Sequence, residues 1–147
     1  MFVHFLRLMV LAVIVIVAGS GGIGAQEKDP LIPRVPVDQR AEMKKLISPL
    51  SVTKDIIAEG KILYEGQGTC LNCHGKSGKG DGPIGAVLNP GPRNLTNCDF
   101  QKERSDGELF WIIKNGSPGT AMIPLVPGAL NEEEAWKVIA YVRSFCP

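Results

Sequence analysis

The sequence predicts an all-α fold of three to four short helices, and three observations carry that expectation. No stretch of the 147 residues alternates apolar and polar side chains strictly enough for a half-buried strand. Apolar side chains recur instead at spacings of three and four, behind residues suited to capping a helix. Residues 75–97 are so rich in glycine and proline that little regular structure can form there.

The first long helix is expected over residues 53–64, where Ile56, Ile57, Gly60, Leu63 and Tyr64 share one side and Gly66 and Gly68 end the run. Ser105 with Glu108 forms a capping box that opens an apolar helix through Leu109, Trp111, Ile112 and Ile113, stopped near Asn115 and Gly116. Asn131 with Glu134 repeats the device. In that last helix Glu132, Glu133 and Glu134 complement the positive end of the helix dipole and Arg143 the negative end. Trp136, Ile139, Ala140 and Val142 give it an apolar surface.

The chemistry is concentrated in Thr69-Cys-Leu-Asn-Cys-His-Gly75. Cys70, Cys73 and His74 form a C-x-x-C-H run, the spacing by which two thiols take up a haem covalently while the next residue ligates its iron. Two intervening residues let both sulfurs reach the vinyl-derived carbons on one edge of the porphyrin, and His74 then falls beneath the metal. A backbone carbonyl can fix the imidazole through its second nitrogen, and Pro83 is the candidate. Two other readings compete. A thiol redox motif wants its C-x-x-C at the start of a helix after a strand, and no such context surrounds Cys70. A structural zinc site needs four ligands in paired clusters, whereas Cys98 and Cys146 stand alone and far apart.

Haem attachment of this kind belongs outside the cytoplasm, and the N-terminus agrees. Residues 1–7 carry one positive charge at Arg7, residues 8–18 are uniformly apolar and residues 19–25 are small, which is the layout of a secretory signal. The apolar run is short of the roughly 20 residues that cross a bilayer. Extended back through Arg7 to Phe2, it becomes an uncleaved N-terminal membrane anchor, the alternative for residues 1–25. Residues 26–52 place Pro30, Pro33, Pro36 and Pro49 among charges, with a short amphipathic turn within residues 38–47. They are expected to form a Pro-rich arm or linker before a haem domain at residues 53–147. Loss of residues 1–25 removes Arg7 and leaves fifteen basic against fifteen acidic residues. That balance gives no case for a nucleic-acid partner. Lys76 and Lys79 follow the haem motif, either as a ring around an exposed haem edge for docking or as a solvated loop. Arg93 and Asn94 are candidates to bond a haem propionate, against surface charge and turn residue respectively.

The second axial ligand follows by elimination. The only histidines are His4, in the export signal, and His74. Of four methionines, Met1 and Met9 lie in the signal and Met43 in the arm, which leaves Met122. It stands in Gly-Ser-Pro-Gly-Thr-Ala-Met-Ile-Pro between two predicted helices, a turn that can present a thioether to iron. A flexible core filler is the bland alternative for a methionine.

Taken together, the chain resembles the bacterial monohaem class I cytochromes c. The resemblance runs over about residues 53–145. It rests on Gly60 and Tyr64, then Cys70, Cys73 and His74, then Gly80-Asp81-Gly82-Pro83, Asn115-Gly116, Met122, and Val138-Ile139-Ala140-Tyr141-Val142. It implies one covalent haem c with its iron held axially by His74 and Met122, a carbonyl from Pro83 on the proximal histidine, and a close crossing of first and last helices at Gly60, Tyr64 and Tyr141. The family usually has proline directly after the methionine; here Ile123 intervenes before Pro124. Cys98 and Cys146 are left over, an even pair that suggests a disulfide in an exported protein, with free thiols or intermolecular pairing as the other outcomes. The function expected is single-electron transfer between redox protein partners in a periplasmic respiratory chain, not catalysis. The alternatives are a haem subunit of a larger redox enzyme and a small-ligand-binding haem protein.

Overall fold

The computed structural model describes residues 29–146. Among them six α-helices follow in order: α1 (Arg40–Met43), α2 (Lys54–Glu65), α3 (Leu71–His74), α4 (Cys98–Glu103), α5 (Asp106–Asn115) and α6 (Glu132–Arg143). One 3-10 turn lies at Gly85–Val87, and there is no strand among the described residues. The all-α expectation therefore holds. The helices exceed three to four because α1 and α3 have four residues each and α4 six, too few for a periodic pattern to register.

The helix starts are set by side chains that satisfy otherwise orphaned amides. Thr53 accepts from the Ile56 amide at 3.2 Å to open α2. Ser105 accepts from the Glu108 amide at 3.2 Å while Glu108 accepts from that of Ser105 at 2.9 Å, so the capping box of α5 is complete. Asn131 and Glu134 do the same for α6 at 2.9 and 2.8 Å. Asn97 caps α4 through the amides of Asp99 and Phe100, at 3.0 and 3.1 Å.

Helices α2 and α6 cross where glycine lets their backbones approach. A Cβ on Gly60 would lie 1.9 Å from the Lys137 carbonyl oxygen. Beside the crossing Tyr64, fully buried, meets Tyr141 edge-on with ring centroids 5.3 Å apart and donates its hydroxyl to the Gly75 carbonyl at 2.8 Å. Over the outer side Lys137 bridges Glu59 and Glu133, both at 2.8 Å. Helix α5 packs on α6 through stacked rings of Phe110 and Trp136, centroids 4.4 Å apart.

At the far end of α6, Arg143 and Gln101 bind three helices together. Arg143 donates to Asp106 at 2.7 Å and to the Gln101 side chain at 2.8 Å, and Gln101 donates to the carbonyls of Leu95 and Val142 at 2.7 and 3.0 Å. In the structure Cys98 and Cys146 form a disulfide beside this cluster, their Cα atoms 5.6 Å apart.

The described part of the Pro-rich arm, residues 29–52, is not a free spacer. Val35 is fully buried, Gln39 accepts from the Trp111 indole at 2.6 Å, and the Met43 carbonyl accepts from Ser105 at 3.3 Å. A Cβ on Gly107 would lie 2.0 Å from that same carbonyl, so α5 is cut away where the arm passes. Proline and charge made this stretch look like a linker; what docks it is mainly its backbone carbonyls, which composition does not reveal. Residues 1–25, expected as signal or anchor, lie outside the described residues. Among those described, no helix is long and apolar enough to cross a membrane.

Candidate haem site

The motif helix α3 is one turn, and the chain after it folds back to satisfy its carbonyls. The amides of Gly82, Gly80 and Ile84 donate to Cys73, His74 and Asn72 at 3.1, 2.8 and 2.9 Å. Gly75 makes the return possible: its φ is +77°, and a Cβ there would lie 1.9 Å from an Asp81 carboxylate oxygen.

Pro83 sits on that return, between two amides bonded to the α3 backbone, and lines a shallow surface depression with Leu71 and Lys76. A carbonyl that stands at the His74 ring is that of Arg93, 2.9 Å from Nδ1. Since a carbonyl only accepts, Nδ1 carries the proton and Nε2 is the basic nitrogen, the one a metal can take.

Cys70, Cys73, His74 and Met122 line one cavity of about 330 Å³ between α3, α5, α6 and the loop before Pro124. That size lies in the range of cofactor sites, roughly 300–1,000 Å³. Its walls are largely apolar, with Leu109 and Ile113 from α5 and Val138, Ile139 and Val142 from α6. Burial pushes the Cys70 thiol up to about 12, with the Cys73 sulfur nearby adding to the rise, and burial also raises Cys73. Neither is the activated, low-pKa thiol of a redox site. A four-thiol zinc site loses Cys98 and Cys146, which are bonded to each other.

The Met122 loop is fixed at both ends. The Met122 carbonyl accepts from Ser117 at 3.0 Å, its amide donates to Thr120 Oγ1 at 3.1 Å, and the Leu125 amide donates to Ile113 at 3.0 Å. Gly116, with φ +79°, lets the Met122 carbonyl come within 2.6 Å of where a Cβ would stand. Ile123, the departure from the family pattern, is exposed and does not displace Met122 from the cavity wall.

The other candidates divide. Arg93 lines the cavity, and its guanidinium lies 5.1 Å from the centre of the Phe100 ring. Asn94 accepts from the Thr96 amide and hydroxyl at 3.0 and 2.7 Å, an Asx turn. Lys76 and Lys79 are exposed. Sequence reasoning missed Ile32, Arg34, Arg104 and Glu108 in the cavity wall. The apolar run Leu31-Ile32-Pro33 was a signal for the arm; Glu108 was masked by its capping role.

The donor set fits haem: two neutral thiols one turn apart, an imidazole of fixed tautomer and an apolar cavity. A family model described as cytochrome c oxidase, cbb3-type, subunit III, matches residues 55–142. The chain belongs to this family. As a cytochrome c domain it carries covalent haem c with its iron and takes part in haem-based electron transfer. Among solved structures, a chain of the Kuenenia stuttgartiensis reducing HAO-like protein complex is similar, with 30% identity and a TM-score of 0.61. The match covers 68% of this chain and 48% of that one, so the chain spans about half the length of that solved relative. No curated protein matches.

Proposed function

We propose that this cytochrome c domain passes single electrons through one haem held axially by His74 and Met122, on the periplasmic side of a respiratory chain. The observation that carries the reading is that His74, its tautomer set by the Arg93 carbonyl, and Met122, on a loop pinned at both ends, line the cavity that holds the two motif cysteines. A bound haem supplies a one-electron couple, and a thioether ligand favours its reduced state and raises the potential. The chain's own residues would do the rest: Cys70 and Cys73 would tether the haem, His74 and Met122 would hold its iron, and the α5 and α6 side chains would exclude water. A rigid site changes little between oxidation states, which is what fast electron transfer needs.

Export fits a disulfide at Cys98–Cys146, which belongs in an oxidising compartment. The similarity to a chain of a reducing HAO-like complex favours a second reading of the same site, a haem subunit that relays electrons inside a larger redox assembly.

The ferric absorption spectrum of the purified holoprotein tests the ligation. A weak far-red sulfur-to-iron band that disappears in Met122→Ala is the expected result. A high-spin spectrum that the substitution leaves unchanged overturns the carrier reading in favour of an open iron.

A further inference from the structure

The Arg93 carbonyl sets the His74 ring, and what steadies that carbonyl lies two residues further on. Leu95 is buried, its amide donates to the Gly78 carbonyl at 2.6 Å, and its own carbonyl accepts from the Gln101 side chain at 2.7 Å. Between them Asn94 accepts from the Thr96 amide and hydroxyl at 3.0 and 2.7 Å, which closes the turn. The stretch that presents the Arg93 carbonyl is therefore held from within and from two other segments.

Gln101, on α4, is buried, and its amide is fully engaged. Both protons are placed, one on the Leu95 carbonyl and one on the Val142 carbonyl at 3.0 Å. Its oxygen accepts from Arg143 Nη1 at 2.8 Å. A guanidinium only donates, so Arg143 decides which end of the amide is oxygen and turns the two protons toward the carbonyls. Arg143 is itself held by Asp106 at 2.7 Å. A buried polar network that is satisfied in this way is rigid. Gln101 does not line the cavity, so replacing it leaves the walls of the cofactor site in place.

We propose that Gln101 is a positioning residue of the haem site: through the Leu95 carbonyl it steadies the Arg93 carbonyl against His74 Nδ1, and so holds the reduction potential down. This rests on the haem reading above, with His74 as an iron ligand. An imidazole that shares its Nδ1 proton with a well-placed carbonyl is the more basic ligand at Nε2. A more basic ligand favours ferric iron, so loosening the Arg93 carbonyl raises the potential.

The test compares the full-length holoprotein with Gln101→Met, which keeps the length of the side chain and removes both donors. The ferric-to-ferrous ratio at fixed potential is expected to shift about threefold toward ferrous, a rise of about 28 mV for one electron. In the proton NMR spectrum of the reduced protein the His74 ring N–H should exchange with solvent about tenfold faster, the scale of one lost hydrogen bond. The control is the joint replacement of Cys98 and Cys146 by serine. It loosens the same corner without touching the Gln101 donors and should leave both readouts unchanged. A folded Gln101→Met in which either readout stays at its unsubstituted value overturns the proposal. So does a serine control that moves both readouts as far, since the effect is then general loosening. Should Gln101→Met not fold, Arg143→Gln decides, because it frees the amide from its anchor; an unchanged ring N–H exchange there overturns the assignment. If the unsubstituted protein has no reversible couple, the electron-transfer reading falls, while the ring N–H exchange still reports on Gln101 by itself.

Discussion

Nδ1 of His74 stands 2.9 Å from the carbonyl oxygen of Arg93, although 19 residues separate the two in sequence. The long Gly- and Pro-rich loop is therefore tied back to the motif helix at both ends. Near its start it satisfies the α3 carbonyls, and near its finish it sets the tautomer of the imidazole. The loop acts as the frame of the proximal ligand.

Pro83 has no amide of its own to give to that frame, so Pro83→Ala should leave the visible spectrum and the midpoint potential unchanged and alter stability by less than about 1 kcal/mol. Loosening the chain at the other end with Pro92→Gly frees the Arg93 carbonyl, makes the imidazole less basic and should raise the potential measurably. Voltammetry on the two variants checks both; an effect from Pro83 alone reverses the assignment.

Gly60→Ala sets a methyl group 1.9 Å from a backbone oxygen on α6, where no side chain can yield. Separation of α2 from α6 should cost about 3 kcal/mol or more, despite the better helix propensity of alanine. Thermal melting of the holoprotein should fall by about 10 °C or more.

Alkaline pH probes the buried phenol of Tyr64. Burial raises it well above the ordinary tyrosine value of 10.0, with Cys70, Tyr141 and Asp81 adding to the rise. The folded state thus keeps its proton after the unfolded state has lost it. The stabilisation is complete below pH 10.0 and is lost as pH climbs from there toward the folded-state value. Denaturant titrations should show stability falling above about pH 10, and Tyr64→Phe should flatten that fall while costing about 1 kcal/mol at neutral pH through the lost bond to Gly75.

Replacing Cys98 and Cys146 together by serine removes a crosslink spanning 48 residues of separation. The chain-entropy account puts the loss at about 4 kcal/mol, seen as a lower denaturation midpoint. The haem spectrum of the folded state should not change, because the bond lies at the end of α6 beyond the cavity wall.

Much of the fold was legible because its signals are local. Ser105 with Glu108 and Asn131 with Glu134 announce their helices within four residues, and Gly60, Tyr64 and Tyr141 mark the crossing. The cysteines and the imidazole were legible for the same reason. Arg104 was not, since its place depends on carbonyls more than seventy residues distant in the chain, and Arg34 was not, since it comes to the cavity with the arm that Arg104 holds. Nor could spacing put the Arg93 carbonyl at the imidazole, because that is decided by how a loop returns.

The arm's contacts reach very far along the sequence: Arg104 to Leu31 across 73 residues, Gln39 to Trp111 across 72, Ser105 to Met43 across 62. Contacts of such separation close late, after the elements that receive them exist. The segment that leaves the ribosome before the haem motif is thus among the last to find its place. Until α4 and α5 have formed, the side of the cavity that it will cover stays open, and the motif cysteines can be reached by whatever delivers the porphyrin.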